Sequence, residues 1–240
     1  VTAAERAHVL LERVRALHEE WARVVRALDE DAVHAPSALS GWTRAHLLSH
    51  VARNADGLGN LLTWAKTGVE TPMYATATAR DAGIEAGADR SAAVIIADVV
   101  DSGERFSDLA ASLPDEAWAG AARDRQGRPV TGEKVLRKRL AETSIHLVDL
   151  DFGYDFDRVS GLLGREFEVV VSSAIASYGE GLPAVLLVAV DGDGTRHEWR
   201  MGEGDPAKVT GTPGAVLAWI TGRGDGSTLD GEVPPLPHWL

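Results

Sequence analysis

Apolar residues recur at three- or four-residue spacing in four long stretches of roughly the first 150 positions, the signature of helices with one buried face. The first stretch opens on Thr2-Ala3-Ala4-Glu5, a capping-box pattern, and its stripe through Val14, Leu17, Trp21 and Val24 predicts a helix to about Leu28. Residues 29–42 read as a connection, with Pro36 and a Ser40-Gly41-Trp42 turn, and His34 there is expected to be exposed. Thr43 is placed to cap a second helix from Arg44 to about Thr67, stopped by Gly68. Glu70-Thr71-Pro72-Met73-Tyr74 reads as an ordered loop, because Pro72 blocks helix continuation. The Ala- and Gly-rich residues 76–90 have weak periodicity and suit a helix or a lid. A third helix is predicted over about Ser91–Leu113, with Val94, Ile95, Val99, Phe106, Leu109 and Leu113 inward. A turn follows at Asp124–Pro129, and a fourth helix begins near Gly132 or Glu133.

The pattern changes after residue 150. Asp151–Val159 breaks the helical period and marks a domain boundary, and 160–178 reads as helical. Ala184–Val190 is a continuous apolar run suited to a buried strand. Asp191-Gly192-Asp193-Gly194 signals a hairpin turn into an alternating strand, Thr195–Arg200. Lys208–Gly211 is a further short strand, and Thr212-Pro213 opens a helix that continues to Thr221. The segment from Gly231 to Leu240 holds three prolines and Trp239, and reads as extended chain packed on the surface. The fold class is mainly α: an antiparallel four-helix bundle over residues 1–152, then a small α+β domain over 153–240.

Charge and composition narrow the function. The chain carries 24 Lys and Arg against 36 Asp and Glu, a net charge of −12. No basic stripe offsets this, so binding to nucleic acid through phosphates is not expected. No apolar run approaches the roughly 18 residues of a membrane span. The N-terminal residues are charged and amphipathic without a signal-peptide core, so a cytoplasmic location is expected, and the protein is read as a monomer. There is no cysteine. Any metal must therefore be held by His, Asp or Glu, and any thiol chemistry must use a thiol from outside.

The chemistry concentrates in Glu142-Thr143-Ser144-Ile145-His146-Leu147-Val148-Asp149. On a helix, Glu142, His146 and Asp149 fall within a strip roughly 60° wide. The residues around them are largely apolar or small, so the strip faces inward, where an unpaired carboxylate or imidazole is costly. A divalent metal would be a partner for it, although Glu and His four apart also form ordinary hydrogen-bonded pairs. Two histidines lie on the second helix. His50 falls about 90° from the centre of its apolar stripe and His46 about 130°. His50 is therefore the third ligand expected, with His46 at the surface. Three His/Glu ligands leave a coordination position open, which suits catalysis by a bound water or by an incoming thiol. Arg223, between Gly222 and Gly224 after a helix, could grip a carboxylate or neutralise the helix dipole. No phosphate-binding, dinucleotide-binding or nucleophile-elbow pattern is present.

Several stretches resemble the mycothiol-dependent maleylpyruvate isomerase family. They are Gly41-Trp42-Thr43-Arg44-Ala45-His46-Leu47 through His50, Asn54, Asn60-Leu61-Leu62, and Thr67-Gly68-Val69-Glu70-Thr71-Pro72-Met73-Tyr74, followed by Glu142 to Leu150, Gly222-Arg223-Gly224, and the tail Gly231-Glu232-Val233-Pro234 with Trp239-Leu240. The likeness covers nearly the whole chain and is densest over 41–74. It implies a DinB-like four-helix bundle with a C-terminal α+β domain, zinc held by His50, Glu142 and His146, and Arg223 as the essential arginine contributed by the second domain. It also implies mycothiol as thiol cofactor and isomerisation of maleylpyruvate to fumarylpyruvate in gentisate breakdown. Tyr74, Arg80 and Asp149 are weaker candidates, for contact with substrate or thiol or for support of the ligands. Rival readings are a mycothiol S-transferase acting on another electrophile, a zinc hydrolase, and a non-catalytic bundle protein.

Overall fold

Helix α1, Ala3–Val25, starts on the predicted box. The Glu5 N–H donates to Thr2 Oγ1 at 3.1 Å, and the Thr2 N–H to Glu5 Oε2 at 2.6 Å. The helix stops three residues before Leu28, which closes a final turn on Val25 O. The connection holds a short helix, α2, Glu30–His34, capped by Asp29. Five residues show no period, so the sequence pattern does not reveal it. His34 is exposed and paired with Glu30. Helix α3 is Arg44–Thr67 as expected, capped by Thr43 and ended by Gly68 at φ 69°, a left-handed turn that glycine enters without steric cost.

After the 70–78 loop, α4 (Ala79–Ala88) runs back along α3 to α5 (Ala92–Ala111). In α5, Ile95, Val99, Ser102 and Phe106 face inward. Val94 is 48% exposed rather than buried, because it precedes Ile95 by one residue and so lies roughly 100° off that stripe. Leu109 is half-buried; the small residues Ser107 and Ala110 hold the inner face instead. A 3-10 turn, Asp115–Ala119, leads into strands β1 (Ala121–Arg123) and β2 (Pro129–Thr131), which pair around the expected turn. Helix α6, Gly132–Asp149, follows, capped by Thr131.

Paired residues give the helix directions. Arg44 bonds the carbonyls of Leu150 and Asp151, His50 meets His146, and Asn54 meets Arg139, so α3 and α6 run antiparallel. His18 bonds Ser107, and Glu30 bonds the Ala92 N–H, so α1 and α5 are antiparallel too. By contrast Arg6 pairs with Glu133 and Trp21 with Thr143, so α1 and α6 run the same way. So do α3 and α5, through Arg53–Asp98 and Asp56–Arg105. The bundle is up-down-down-up, and α4 is the crossover that returns the chain to the start of α5.

The computed structural model describes residues 1–237. The chain divides into two compact units, Val1–Phe152 and Gly153–Leu240, and the bundle is the first. In the second, α7 spans Phe156–Leu163, starting inside the stretch read as a break. Asp155 caps it through the Arg158 N–H, and Phe156, Val159 and Leu163 supply a buried face. Gly164 ends it at φ 52°, so 160–178 is not one helix: a 3-10 turn, Gly164–Glu166, separates α7 from α8, Phe167–Ser177. Strands β3 (Val185–Val190) and β4 (Arg196–Met201) form the expected hairpin, with Val185 opposite Met201. Strand β5 (Ala207–Gly211) runs parallel to β3. Helix α9, Pro213–Ile220, begins at the predicted Thr212 cap, and β6 (Asp230–Gly231) completes the sheet order β4-β3-β5-β6. Helices α7 and α8 both pack on α9. Residues 232–237 have no regular structure, and Trp239 lies outside the described residues. Among the described residues no helix is long and apolar enough to cross a membrane.

Glu133, on the first turn of α6, is buried and clamped by Arg6 from α1 and by Arg137. Burial opposes its charge, but the two arginines outweigh burial and hold the carboxyl below the usual range. A depressed carboxyl stabilises the fold above the unfolded-state value of about 4.3, and that stability is lost as pH falls through the folded-state value. Glu133→Gln is expected to lower stability at pH 7 by about 1–2 kcal/mol, since both arginines are partly exposed. In urea titrations the gap between the two proteins should hold from pH 8 to 6 and narrow below about pH 4.

Candidate metal centre

Two helices of the first unit supply the centre. His50 lies on the second turn of α3 and is 5% exposed. Glu142 and His146 lie one turn apart near the end of α6. His50 Nε2 is 3.2 Å from Glu142 Oε2 and 3.1 Å from His146 Nε2, and His146 Nε2 is 3.4 Å from Glu142 Oε2. Around a tetrahedral ion with bonds of about 2.0–2.1 Å, neighbouring ligand atoms stand about 3.3 Å apart. The three atoms therefore fit one zinc-sized ion without rearrangement. Among the described residues, this is the one group of three or more His, Asp or Glu able to share a metal.

The ring proton of His146 is fixed from behind. Its Nδ1 donates to Asp149 Oδ2 at 2.8 Å, which turns the Nε2 lone pair toward His50 and Glu142. Asp149 is wholly buried. Of the two uses left open for it, burial favours orienting His146 over meeting a substrate. Burial lowers the His50 imidazole, helped by His146 and opposed by Glu142. Burial also works against charge on His146, but its bonds to Asp149 and Glu142 outweigh it and raise the ring. Glu142 is held well below the carboxylate range, because bonds to both histidines overcome its burial. Its side chain keeps 38% of its surface open, so the centre is accessible on the carboxylate side.

Trp42 leans on the His50 ring at 5.7 Å, and the Arg80 guanidinium from α4 lies over Trp42 at 5.9 Å. Arg80 Nη2 is 3.4 Å from His50 Nδ1, and Nη1 pairs with Asp81 at 2.7 Å. Tyr74 is held by its loop. Asn60 Nδ2 donates to Pro72 O at 3.2 Å, and the loop lies on Gly57, where an added Cβ would stand 3.1 Å from Met73 O and 3.4 Å from the Tyr74 ring. Burial raises the Tyr74 phenol, partly offset by Arg80. His46 is not a ligand; it closes the α3 capping box with Thr43 and stands 3.5 Å from Glu85. Arg223 belongs to the second unit. There it is half-buried, with Nη1 on Thr221 O at 2.7 Å and its charge acting on Tyr178. Sequence reasoning passed over Trp42 and Arg139. Arg139 stands three residues before Glu142 and seven before His146, a spacing on one helix face that was open to view.

Residues 14–151 match the protein family described as "Mycothiol maleylpyruvate isomerase N-terminal domain". No curated protein matches the chain. Two solved structures align over 100% of this chain and 100% of their own. One, titled as the crystal structure of the mycothiol-dependent maleylpyruvate isomerase, is 30% identical with a TM-score of 0.81. The other, a histidine-to-alanine mutant of that isomerase, is 29% identical with a TM-score of 0.80. On the family match across its bundle and the full-length likeness to an isomerase structure, the chain belongs to the mycothiol maleylpyruvate isomerase N-terminal domain family.

Proposed function

We propose that this protein is a zinc- and mycothiol-dependent isomerase that converts maleylpyruvate to fumarylpyruvate. One observation carries the reading: His50 Nε2, Glu142 Oε2 and His146 Nε2 converge within 3.1–3.4 Å in a chain that aligns end to end with an isomerase of that description. Zinc on these atoms supplies the Lewis acidity that makes a coordinated thiol a thiolate near neutral pH. The reaction class is nucleophilic catalysis, in which mycothiol would supply a thiolate able to add reversibly to a C=C conjugated to a carbonyl and so permit cis-to-trans rotation.

The chain's own residues set the conditions. His50, Glu142 and His146 would hold the metal with two imidazoles and one carboxylate, a set that would leave room for a thiol ligand, and the group is open to solvent at Glu142. Asp149 keeps the His146 proton on Nδ1. Were His50 Nε2 to hold a metal, its proton would sit on Nδ1, and Arg80, 3.4 Å from that nitrogen, would be left for a carboxylate of substrate or thiol. Tyr74 stands on the same side, within the electrostatic reach of Arg80 and Glu142. Arg223, between two glycines, is on the family resemblance the arginine that would hold a substrate carboxylate bidentately. With no cysteine in the chain, no internal thiol competes for metal or substrate.

The test follows maleylpyruvate absorbance with purified protein. Turnover should require catalytic mycothiol, disappear on chelation and in His50→Ala, and return to the wild type with added zinc. Consumption of one mycothiol per turnover would make the protein an S-transferase, and turnover without thiol would make it a hydrolase. Asp149→Asn is expected to weaken zinc binding by about 10–100-fold in chelator competition. Arg223→Ala should lower kcat/KM by about 100-fold at unchanged zinc content.

A further inference from the structure

Below the triad the bundle interior holds a second polar layer, centred on Arg139 of α6. This side chain is 1% exposed. Its Nε–H donates to His18 Nε2 at 3.0 Å, and its Nη1 donates to Val51 O and to Asn54 Oδ1, both at 2.9 Å. The guanidinium lies over the Phe106 ring at 5.8 Å. His18 Nε2 accepts from Arg139, so its proton is on Nδ1, which faces Ser107 Oγ at 2.9 Å. Burial, with the Arg139 charge, keeps this imidazole well below its ordinary value. One guanidinium thus meets residues from all four bundle helices: His18 on α1, Val51 and Asn54 on α3, Phe106 on α5, and its own α6.

This is a costly joint. The hydrogen-bond acceptors the structure gives Arg139 are all neutral, and burial lowers it to about 10. The nearby negative charge acting most on it is Glu142, ahead of Asp56. An apolar side chain of similar volume would fill the layer at lower desolvation cost. The position of the joint supplies its reason. Arg139, Glu142 and His146 share one face of α6, and Asn54 stands one turn beyond His50 on α3. The Arg139 bonds to Val51 O and Asn54 Oδ1 therefore lock α3 against α6 one turn from the atoms that must converge. A slip of about 1.5 Å, one residue's rise, along either helix would separate His50 from Glu142 and His146.

We propose that Arg139 is the positioning residue of the metal centre: through Val51 O, Asn54 and His18 it sets the register of α6 against α3 that brings the three ligand atoms together. The inference rests on the reading of His50, Glu142 and His146 as metal ligands. The test loads wild type, Arg139→Lys and Arg139→Met with Co2+ and records the d–d absorption, then measures zinc affinity by competition with a chromophoric chelator. Lys keeps the charge but cannot span the three acceptors. Leu61→Ala, on α3 about 16 Å from His50 by helix rise, is the control for simple loss of stability. Both Arg139 variants should shift the cobalt bands and weaken zinc binding by about 10–100-fold, while Leu61→Ala keeps the wild-type spectrum. Folded Arg139 variants with the wild-type spectrum and affinity would overturn the inference and leave the metal centre standing. Failure of the wild type to bind either metal would overturn the metal reading itself, and the inference with it. If the Arg139 variants do not fold, Asn54→Ala decides: it should give a smaller shift in the same direction, and an unchanged spectrum overturns the inference.

Discussion

A polar group inside a helical bundle must find its partner inside the bundle, because the backbone there is already bonded to itself. The first unit meets this constraint along one seam. Asp149, His146, Glu142 and Arg139 descend one face of α6. His50 and Asn54 descend the facing side of α3 in the opposite direction, and His18 and Ser107 close the lower end. Asp149, His146, Glu142 and His50 form one bonded run, and Asn54, Arg139, His18 and Ser107 form a second one turn below it. Such a chain of bonds has one low-cost arrangement, since displacing any member leaves a buried donor or acceptor unpaired at about 1–3 kcal/mol.

The rest of the bundle serves that arrangement by fixing where the helices begin and end. Thr43 and Gly68 set the limits of α3. Arg44, its first residue, reaches the carbonyls of Leu150 and Asp151 at the end of α6, so the two helices are tied at the upper end as well as at Arg139. Between these two ties the ligand atoms have little freedom to separate. Crossover helix α4 carries Arg80 back over the upper turns of α3, and the 70–78 loop lays Tyr74 on Gly57. Arg80 and Tyr74 therefore ride on elements that are not part of the bundle itself. A site built this way can keep its ligands rigid and vary what surrounds them.

What was legible in the sequence was what local chemistry decides. Thr2, Thr43, Gly68 and Thr212-Pro213 mark helix ends because capping is settled within a few residues. Angle alone placed His50 nearer the buried face than His46; in the structure His50 is buried, while His46, read as a surface residue, closes the cap. Short elements escaped for a physical reason: α2 has five residues, and β1 and β2 have three each, too few for any period to show. Helix α7 was hidden because its apolar face, Phe156, Val159 and Leu163, is interrupted by Gly164 before it can be counted. The Arg139 layer escaped for another reason. Arginine in a helix reads as surface, and one bonded only to neutral acceptors offers no opposite charge in the sequence to give it away. Its partners at 18, 51, 54 and 106 come together only once four helices have packed.

The up-down-down-up order explains why the costly layer and the ligand layer occur together. Parallel neighbours α3 and α5, like α1 and α6, are not joined by a short turn that would fix their relative height. The register of α6 against α3 must then be set by side chains, since residues 68–131 separate the two helices and loop-closure entropy gives no preference at the scale of one turn. Apolar packing alone resists a slip weakly, because leucines and valines can repack with modest loss. Directional bonds to a buried guanidinium do not repack, and a half-turn slip would strand all three acceptors. In this bundle the polar interior is the device that turns an approximate stack of helices into one that holds His50, Glu142 and His146 with their facing atoms 3.1–3.4 Å apart.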